Sequence, residues 1–389
     1  MGKSLTRGIT RNVLALGAVS LLTDVSTEMF YPVLPLFLTS VLGAGVEFVG
    51  LIEGIAESTA SLLKLFSGWF SDRLRRRKAL VLIGYSLSAL TRPIFAISTS
   101  AWHVLGARFV DRVGKGIRTS PRDALIADST PEGSMGKAFG LHRAMDHTGA
   151  VLGPLLAFLI LSLRPEEYRL LFWYAALPAV LSVLVLVLFV SERTPSEGRK
   201  ISLSFEPLGP KFKLYLLIVA IFTLGNSSDA FLLLRARHVG VPATSIPLLW
   251  AALHIAKTLT SVPGGAWSDR VGRRQVIVMG WAIYTLVYLG FGLASQPWHI
   301  WALMVVYGFY YGLTEGTEKA LVADLVPQEL RGTAYGAFNF TIGVTALPAS
   351  VAMGLLWRWV GPAGAFGFGA ALAGIASVGL MALRLRPKA

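Results

Sequence analysis

The sequence predicts an all-α membrane protein in which about twelve transmembrane helices form two pseudo-symmetric six-helix bundles. The first observation is composition: 54% of the 389 residues are hydrophobic, only 15% are charged, and the mean hydropathy is +0.60. An average soluble domain has about 25% charged residues. The second observation is the recurrence of long apolar runs, and the third is an internal repeat.

The predicted spans follow apolar runs such as VLGPLLAFLILSL and FWYAALPAVLSVLVLVLFV. Crossing a hydrocarbon core of roughly 30 Å takes about 20 helical residues. Polar or basic loops separate the runs. The spans are expected near residues 12–40, 47–71, 79–98, 102–127, 137–163, 168–191, 213–238, 246–267, 275–295, 298–325, 333–357 and 363–384.

Two segments of the first half recur in the second half at a nearly constant offset of about 197 residues. FSGWFSDRLRRRKALVLIGY (66–85) is similar to PGGAWSDRVGRRQVIVMGW (263–281), and DALIADSTPEGSMGKAFG (123–140) is similar to KALVADLVPQELRGTAYG (319–336). The repeat predicts two homologous bundles in parallel orientation. We expect an N-terminal bundle at 1–190, a cytoplasmic linker at 191–211 and a C-terminal bundle at 212–389.

The net charge of +14 has a pattern that indicates membrane topology and argues against nucleic-acid binding. Basic residues concentrate in alternate loops, as the positive-inside rule requires when both termini are cytoplasmic. The first ten residues are polar and lack a signal-peptide core, so the first helix is expected to be retained. With no cysteine, neither a disulfide framework nor a thiolate metal site is expected. These features predict a multi-pass protein of the inner (cell) membrane.

The fourth span contains the densest charge of any predicted helix, in RFVDRVGKGIRTSPRDALIAD (108–128). Asp111, Lys115, Arg118 and Arg122 follow one another at spacings of 4, 3 and 4, which places them on one helical stripe. Charges are costly in hydrocarbon, so the stripe is expected to face a polar cavity inside the protein.

Other spans supply polar partners in one-face patterns. They are Asp24, Glu28 and Tyr31 in the first span, His142, Arg143, Asp146 and His147 in the fifth, Asn226 and Asp229 in the seventh, His254 and Lys257 in the eighth, and Glu315 in the tenth. The interiors of the sixth, ninth and twelfth spans carry no charge, and the third carries only Arg92 near its outer end.

Several motifs resemble the major facilitator superfamily across essentially the whole chain. The resemblance rests on four motifs. The first is the loop motif after the second span (Gly68, Asp72, Arg73, Arg76, Arg77), and the second is its copy after the eighth span (Gly265, Asp269, Arg270, Gly272, Arg273, Arg274). The third is the fourth-span motif of proton-coupled members (Arg108, Gly114, Gly116, Pro121), and the fourth is the fifth-span motif of exporters and antiporters (Gly149, Gly153, Pro154). The resemblance implies the major facilitator fold and secondary active transport by alternating access. Asp24 with Pro32 and Pro35 also resembles an antiporter pattern.

Gating is expected at the loop and fifth-span motifs. Asp72, Arg73, Asp269 and Arg270 can bridge neighbouring helix ends, where a carboxylate suits an N-terminus and a cation a C-terminus. Gly149, Gly153 and Pro154 are assigned a gating role by the resemblance. The alternative for the arginine run is that it only sets topology.

Asp111, Arg112, Lys115 and Arg118 stand where the resembling drug exporters carry uncharged residues. These charges predict a polar, anionic substrate, because each unpaired buried charge would weaken a pocket for lipophilic drugs. Arginine suits forked recognition of carboxylate or phosphate. The candidate substrate-binding residues are Asp111, Arg112, Lys115, Arg118, Tyr31, Asn226, His254, Lys257 and Glu315. The alternative is that Asp111, Asp24 and Glu28 neutralise the fourth-span cations internally.

Proton coupling needs a carboxyl whose pKa lies near the working pH and changes between states. Asp24 and Glu28, near the middle of the first span, fit best, and Asp229 follows. His147 is the alternative titrating group.

The function favoured by the sequence is proton-coupled export of a polar or anionic organic solute by a monomer, without metal or cofactor. An importer or exchanger of an organic anion is the second hypothesis. A divalent-metal exporter, using Asp24, Glu28, His142 and His147, is the third. An enzyme is not expected, since neither a nucleophile with its base nor a phosphate-binding loop is apparent.

Overall fold

The computed structural model describes residues 9–74, 76–131, 135–192, 208–327 and 330–383, with the side chains of 65, 68–69, 71–74, 135–137, 262 and 331–332 outside the description. Regular structure in these ranges is helical. The first half contains α1 (Arg11–Phe30), α2 (Val46–Leu74), α3 (Arg77–Ile97), α4 (Ala101–Asp128), α5 (Met135–Leu163) and α6 (Tyr168–Phe189).

The second half begins with two short helices, α7 (Pro210–Gly225) and α8 (Ala230–His238), which together occupy the seventh predicted span. It continues with α9 (Ile246–Val271), α10 (Arg273–Leu293), α11 (Pro297–Leu325), α12 (Arg331–Val360) and α13 (Pro362–Ala382). Every one of the predicted spans therefore coincides with helix.

Eight helical segments of the described chain are long and apolar enough to cross a membrane. They contain α1, α3, α5, α6, the α7–α8 pair, α10, α12 and α13. The remaining long helices, α2, α4, α9 and α11, carry most of the candidate site residues. Charge lowers their hydropathy, which is the same feature that makes them candidates for a polar interior.

Contacts divide the chain into two compact units. The first unit contains Met1–Leu42 and Thr59–Lys200, and the second contains Gly43–Ser58 and Ile201–Ala389. The same helix pairs recur in both: α1 packs on α5 and α6, and α3 on α4 and α6, as α7 packs on α12 and α13, and α10 on α11 and α13. This correspondence is the structural counterpart of the sequence repeat. The domain division at residues 190 and 212 stays a prediction.

The two helices that open the halves are interrupted near their middle or end. After α1 the backbone continues as a 3-10 turn (Tyr31–Val33), a short helix (Leu34–Leu36) and a π turn (Phe37–Val41). Pro32 and Pro35 lack the N–H that a regular helix would use there. In the second half, residues 226–229 separate α7 from α8. Irregular backbone at membrane depth is tolerated where protein covers it or where it lines a cavity.

Glycines let helices approach closely at defined places. A Cβ at residue 84 in α3 would lie 2.6 Å from the Gly114 carbonyl oxygen in α4. Between α9 and α10, Gly272 adopts a φ of 103°, a conformation that favours glycine. The apolar core of the first unit includes Val13, Leu16, Val81, Leu125 and Ile126.

Candidate functional site

Asp111 in α4 is surrounded by arginines at the centre of the first unit. Arg112 donates to its Oδ2 from Nε at 3.0 Å and from Nη2 at 2.8 Å. Arg92 donates to Oδ1 at 3.2 Å, and the Arg108 Nη1 lies 3.5 Å from Oδ2. Asp111 is 1% exposed and Arg112 is 6% exposed. With the buried Arg118, these side chains form what we call the arginine cluster: Arg92, Arg108, Arg112 and Arg118 with Asp111.

Arg92 is the charge that the sequence places in the otherwise apolar third span, and its side chain is buried in the first unit. Its side chain is 1% exposed and reaches from α3 to Asp111. It also donates to the Ser26 and Thr27 hydroxyls at 2.9 Å, and its guanidinium lies 4.3 Å from the Phe30 ring centroid. A long side chain can thus bring charge from an otherwise apolar helix into the interior.

The charged stripe of α4 divides between two neighbouring helices. Arg118 turns to α3, where it donates to the Gly84 carbonyl and the Ser88 hydroxyl and lies 4.5 Å from the Tyr85 ring centroid. Lys115 and Arg122 instead interact electrostatically with Asp24 of α1. The ion pairs described for Asp111 are with Arg92, Arg108 and Arg112, so internal neutralisation takes different partners from those that the spacing suggested.

Tyr31, a predicted substrate residue, lies beside the arginine cluster. Its ring centroid is 5.0 Å from the Arg108 guanidinium carbon, and the residue is half-buried in the 3-10 turn after α1. The phenol therefore sits near the end of α1 that faces this cluster.

Asp24 and Glu28 lie where α1 and α5 approach most closely. A Cβ at residue 149 would lie 2.6 Å from the Leu21 carbonyl oxygen and 2.9 Å from the Asp24 Cβ. One at residue 153 would lie 2.7 Å from the Val25 carbonyl oxygen and 3.0 Å from the Glu28 Cβ. Gly149 and Gly153 thus permit the contact that carries both carboxylates, and Pro154 is buried beside them.

His147, on α5, is half-buried. His142 and Asp146 precede it on the same helix and form a buried pair. The His142 Nδ1 lies 3.5 Å from the Asp146 Oδ2. Asp146 also interacts electrostatically with Asp24. The pair was noted in the sequence but was not selected as a site.

In the second unit, Asp229 immediately precedes α8 and is held by two phenols. Tyr307 donates to its Oδ1 at 2.7 Å and Tyr311 to its Oδ2 at 3.0 Å. These tyrosines belong to a packed group, the tyrosine cluster, consisting of Tyr284, Tyr288, Tyr307, Tyr310 and Tyr311. Sequence reasoning missed it, although YGFYYG (307–312) places three of its members on one helix.

The remaining predicted residues of the second unit lie around the same helices. Lys257 pairs with Glu315 at 2.7 Å and lies 4.6 Å from the Tyr311 ring centroid. Asn226, which ends α7, donates to the Tyr310 hydroxyl at 3.5 Å. His254 is half-buried with its ring centroid 5.1 Å from that of Trp250.

The predicted latch residues are only partly described. The side chains of Asp72 and Arg73 lie outside the described part of the chain. Asp269 pairs with Arg273, which also approaches Asp324 at 3.6 Å. Arg270 is exposed and has no ion pair among the described residues. In the first unit, Arg77 pairs with Asp128 at the corresponding helix ends.

Two arginines cap the C-terminal ends of helices. Arg169 donates to the Ala96 carbonyl at 2.7 Å, at the C-terminal end of α3. Arg235 donates to the carbonyls of Phe291, Gly292 and Ala294, at the C-terminal end of α10. A cation satisfies the free carbonyls that end a helix.

Within the described residues there is no group of three or more His, Cys, Asp or Glu side chains that could hold a metal ion. The chemistry available is ionic and hydrogen-bonding recognition by arginines, carboxylates and phenols inside membrane helices. Buried ionisable groups in such helices mark substrate and ion pathways. The fold and these residues together define a multi-pass membrane protein of the transporter class.

Comparison with known proteins identifies the family. The chain matches the Major Facilitator Superfamily over residues 16–234 and 214–389, and it belongs to that superfamily of transporters. It is 36% identical over 383 residues to an uncharacterised MFS-type transporter of Methanocaldococcus jannaschii, covering 96% of this chain and 95% of the relative.

The chain is also similar to a more distant relative and to a solved transporter structure. The cis,cis-muconate transport protein of Acinetobacter baylyi is 24% identical over 324 residues, covering 78% of this chain and 77% of that protein. The crystal structure of the nucleoside transporter NupG superposes with a TM-score of 0.79 at 14% identity, covering 96% of this chain and 99% of that one. This likeness to a solved structure concerns the fold.

Proposed function

We propose that the protein exports polar, anionic organic solutes in exchange for protons, by alternating access. It works as a monomer in the inner membrane, with about twelve spanning helices and both termini in the cytoplasm. The substrate group that it recognises is a carboxylate or phosphate, and the first unit provides the recognition site.

The arginine cluster carries this proposal. Three buried guanidiniums, those of Arg92, Arg108 and Arg112, converge on one carboxylate, Asp111, and the buried Arg118 lies in the same cluster, so that arginines outnumber acids within it. Excess buried charge is costly unless a counter-ion offsets it. An anionic substrate would supply that charge, and guanidinium groups can hold its oxygens through paired, charge-assisted hydrogen bonds.

The second unit supplies groups of a different kind. Its tyrosine cluster presents ring faces and hydroxyls, with the Lys257–Glu315 pair beside Tyr311. Aromatic surfaces contribute apolar contact and orientation. The relative named for muconate transport supports an organic anion, since muconate is an unsaturated dicarboxylate.

Transport in proteoliposomes tests the proposal. The full chain would be reconstituted with a fixed orientation, and the flux of labelled cis,cis-muconate, a benzene dicarboxylate, an organic phosphate and a cationic drug would be measured with and without a pH gradient. We expect gradient-driven flux of at least one anion from the cytoplasmic side, and little of the drug. Flux toward the cytoplasmic side would favour the importer or exchanger. Transport of the drug with no anion flux would contradict the proposal.

A further inference from the structure

His142 and Asp146 are the buried ionisable pair of the first unit that the transport proposal leaves unused. They lie one turn apart on α5 and are 3% and 8% exposed. Among the described residues, the His142 Nε2 and the Asp146 Oδ1 are buried without any hydrogen-bond partner. A buried polar atom without a partner lowers stability, so two of them one helical turn apart call for a physical explanation.

The contact between the two side chains is too loose to remove that cost. The His142 Nδ1 and the Asp146 Oδ2 are 3.5 Å apart, longer than a normal nitrogen–oxygen hydrogen bond of about 2.9 Å. On the same helix, Arg143 approaches the Asp146 Oδ2 at 3.8 Å from an exposed position. The two side chains are therefore close enough to interact electrostatically, but they do not form a hydrogen bond of normal length.

The surroundings of the pair contain both signs of charge. From α1, Asp24 interacts electrostatically with Asp146, and Glu28 with Asp24. From α4, Arg122 and Asp123 act on His142, and Lys115 acts on Asp24. On α5 itself His147 follows Asp146, whereas α6 carries no charged side chain between Leu170 and Phe189.

Arg122 is itself shared between helices. It pairs with Asp123 at 2.8 Å and donates to the Ser20 hydroxyl of α1 at 3.4 Å. Because α4 carries Arg122 and every member of the arginine cluster except Arg92, a change of charge at the α5 pair acts on the helix that would bind the anion. This places the pair where proton binding can be linked to substrate binding.

We propose that His142 and Asp146 form the site that takes up the coupling proton, with Asp24 acting electrostatically on Asp146. The proton binds the free Nε2 of the neutral imidazole while the Nδ1–H points to Asp146, so that the imidazolium faces the Asp146 carboxylate. Release from Nε2 restores the neutral ring. This inference rests on the proposed proton coupling, and it moves the histidine one turn from His147 to His142.

A titration that needs no substrate tests proton binding. The full chain, labelled with 15N-histidine, would be placed in lipid nanodiscs, where the six histidines give resolvable signals and His142→Gln assigns one of them. We expect the His142 signal to titrate and its midpoint to change in Asp146→Asn. The exposed His103 provides the control substitution, His103→Gln. A His142 signal that does not titrate would overturn the proposal.

Transport then tests coupling. In proteoliposomes, His142→Gln and Asp146→Asn should lose pH-driven accumulation of muconate while retaining muconate counterflow, and Asp146→Glu should restore part of the accumulation. Full gradient-driven accumulation in both neutral variants would overturn the proposal. If His142→Gln does not fold, the accumulation measured for Asp146→Glu and the titration of the wild type decide whether the pair takes up the coupling proton. If the wild type moves no anion, the proposed function fails, and the titration still decides whether the pair binds a proton.

Discussion

The two units satisfy their buried charges in different ways. In the first unit, Arg92, Arg108 and Arg112 converge on one carboxylate, Asp111. In the second unit, acids are met by neutral donors or by a single cation. Two phenols donate to Asp229, the Trp281 indole donates to Glu318 at 2.8 Å, and Lys257 pairs with Glu315.

The difference indicates where a ligand charge is needed. Neutral donors do not cancel the negative charge of a carboxylate, so the second unit has little demand for a further anion. Guanidinium groups that outnumber the acids around them keep such a demand, because hydrogen bonds to neutral acceptors do not offset net charge. We therefore propose that the anion is recognised by the first unit.

Replacing the acid at the centre of each cluster should show the largest difference in stability between the two units. Asp111→Asn leaves three arginines without their shared counter-ion, and loss of one partner from a buried ion pair costs about 3–5 kcal/mol. Asp229→Asn keeps an acceptor for one phenol and should cost about 1–2 kcal/mol. Thermal unfolding in detergent measures both. Equal destabilisation would contradict the difference between the units.

The contact between α1 and α5 gives the next largest effect. Gly149→Ala and Gly153→Ala each bring a methyl group against α1 backbone, and overpacking costs about 1–3 kcal/mol. Gly140→Ala is the matched control on the same helix, because a Cβ there meets nothing within 4 Å. It should be neutral or stabilising by up to about 1 kcal/mol. If the three variants have the same free energy of unfolding, the close approach of α1 and α5 at Asp24 and Glu28 is wrong.

A smaller effect is expected at the phenols of the second unit. Tyr307→Phe removes one of the two donors to Asp229 and should lower the free energy of unfolding by about 0.5–1.5 kcal/mol. Tyr310→Phe removes only a 3.5 Å contact with Asn226 and should change it less. Chemical denaturation compares the two. A larger loss in Tyr310→Phe would show that Asp229 does not depend on the phenols.

The smallest effect on stability should come from the helix ends. Arg273→Gln breaks contacts with Asp269 and Asp324, whereas Arg270→Gln removes an exposed charge. Partly exposed ion pairs contribute about 0–1 kcal/mol, so both variants should fold normally. We expect slower turnover in Arg273→Gln alone, since only its bridge joins two helix ends. Identical turnover in the two variants would argue against a latch at Arg273.

The helical framework could be predicted from the sequence because each span is an apolar run bounded by basic or polar loops. The break at residues 226–229 was missed, although Gly225 and the NSSD that follows it are residue types that favour a helix end and a turn. Helical periodicity places Asp111, Lys115 and Arg118 on one stripe, but it does not say which neighbouring helix each side chain meets. In the structure Arg118 donates to the Gly84 carbonyl of α3, whereas Lys115 interacts electrostatically with Asp24 of α1.

Residues that act across helices were the hardest to predict. Arg92 is a single charge in an apolar span, and only the packing of α3 on α4 reveals that it reaches Asp111. Tyr284 and Tyr288 come from α10, which has no charged interior residue, and join Tyr307 and Tyr311 only in the fold. Long side chains and aromatic rings gain their roles from neighbours that are distant in sequence.

Anion affinity in arginine variants tests the central claim most directly. Binding of muconate, a benzene dicarboxylate and an organic phosphate would be measured by calorimetry for the wild type, Arg112→Gln, Arg118→Gln and the exposed charge-matched control Arg164→Gln. Losing one charge-assisted bond should cost about 1–3 kcal/mol, which is about five- to 150-fold in affinity. We predict this loss in Arg112→Gln or Arg118→Gln and none in Arg164→Gln. Wild-type affinity in folded samples of both cluster variants would contradict recognition of the anion by the first unit.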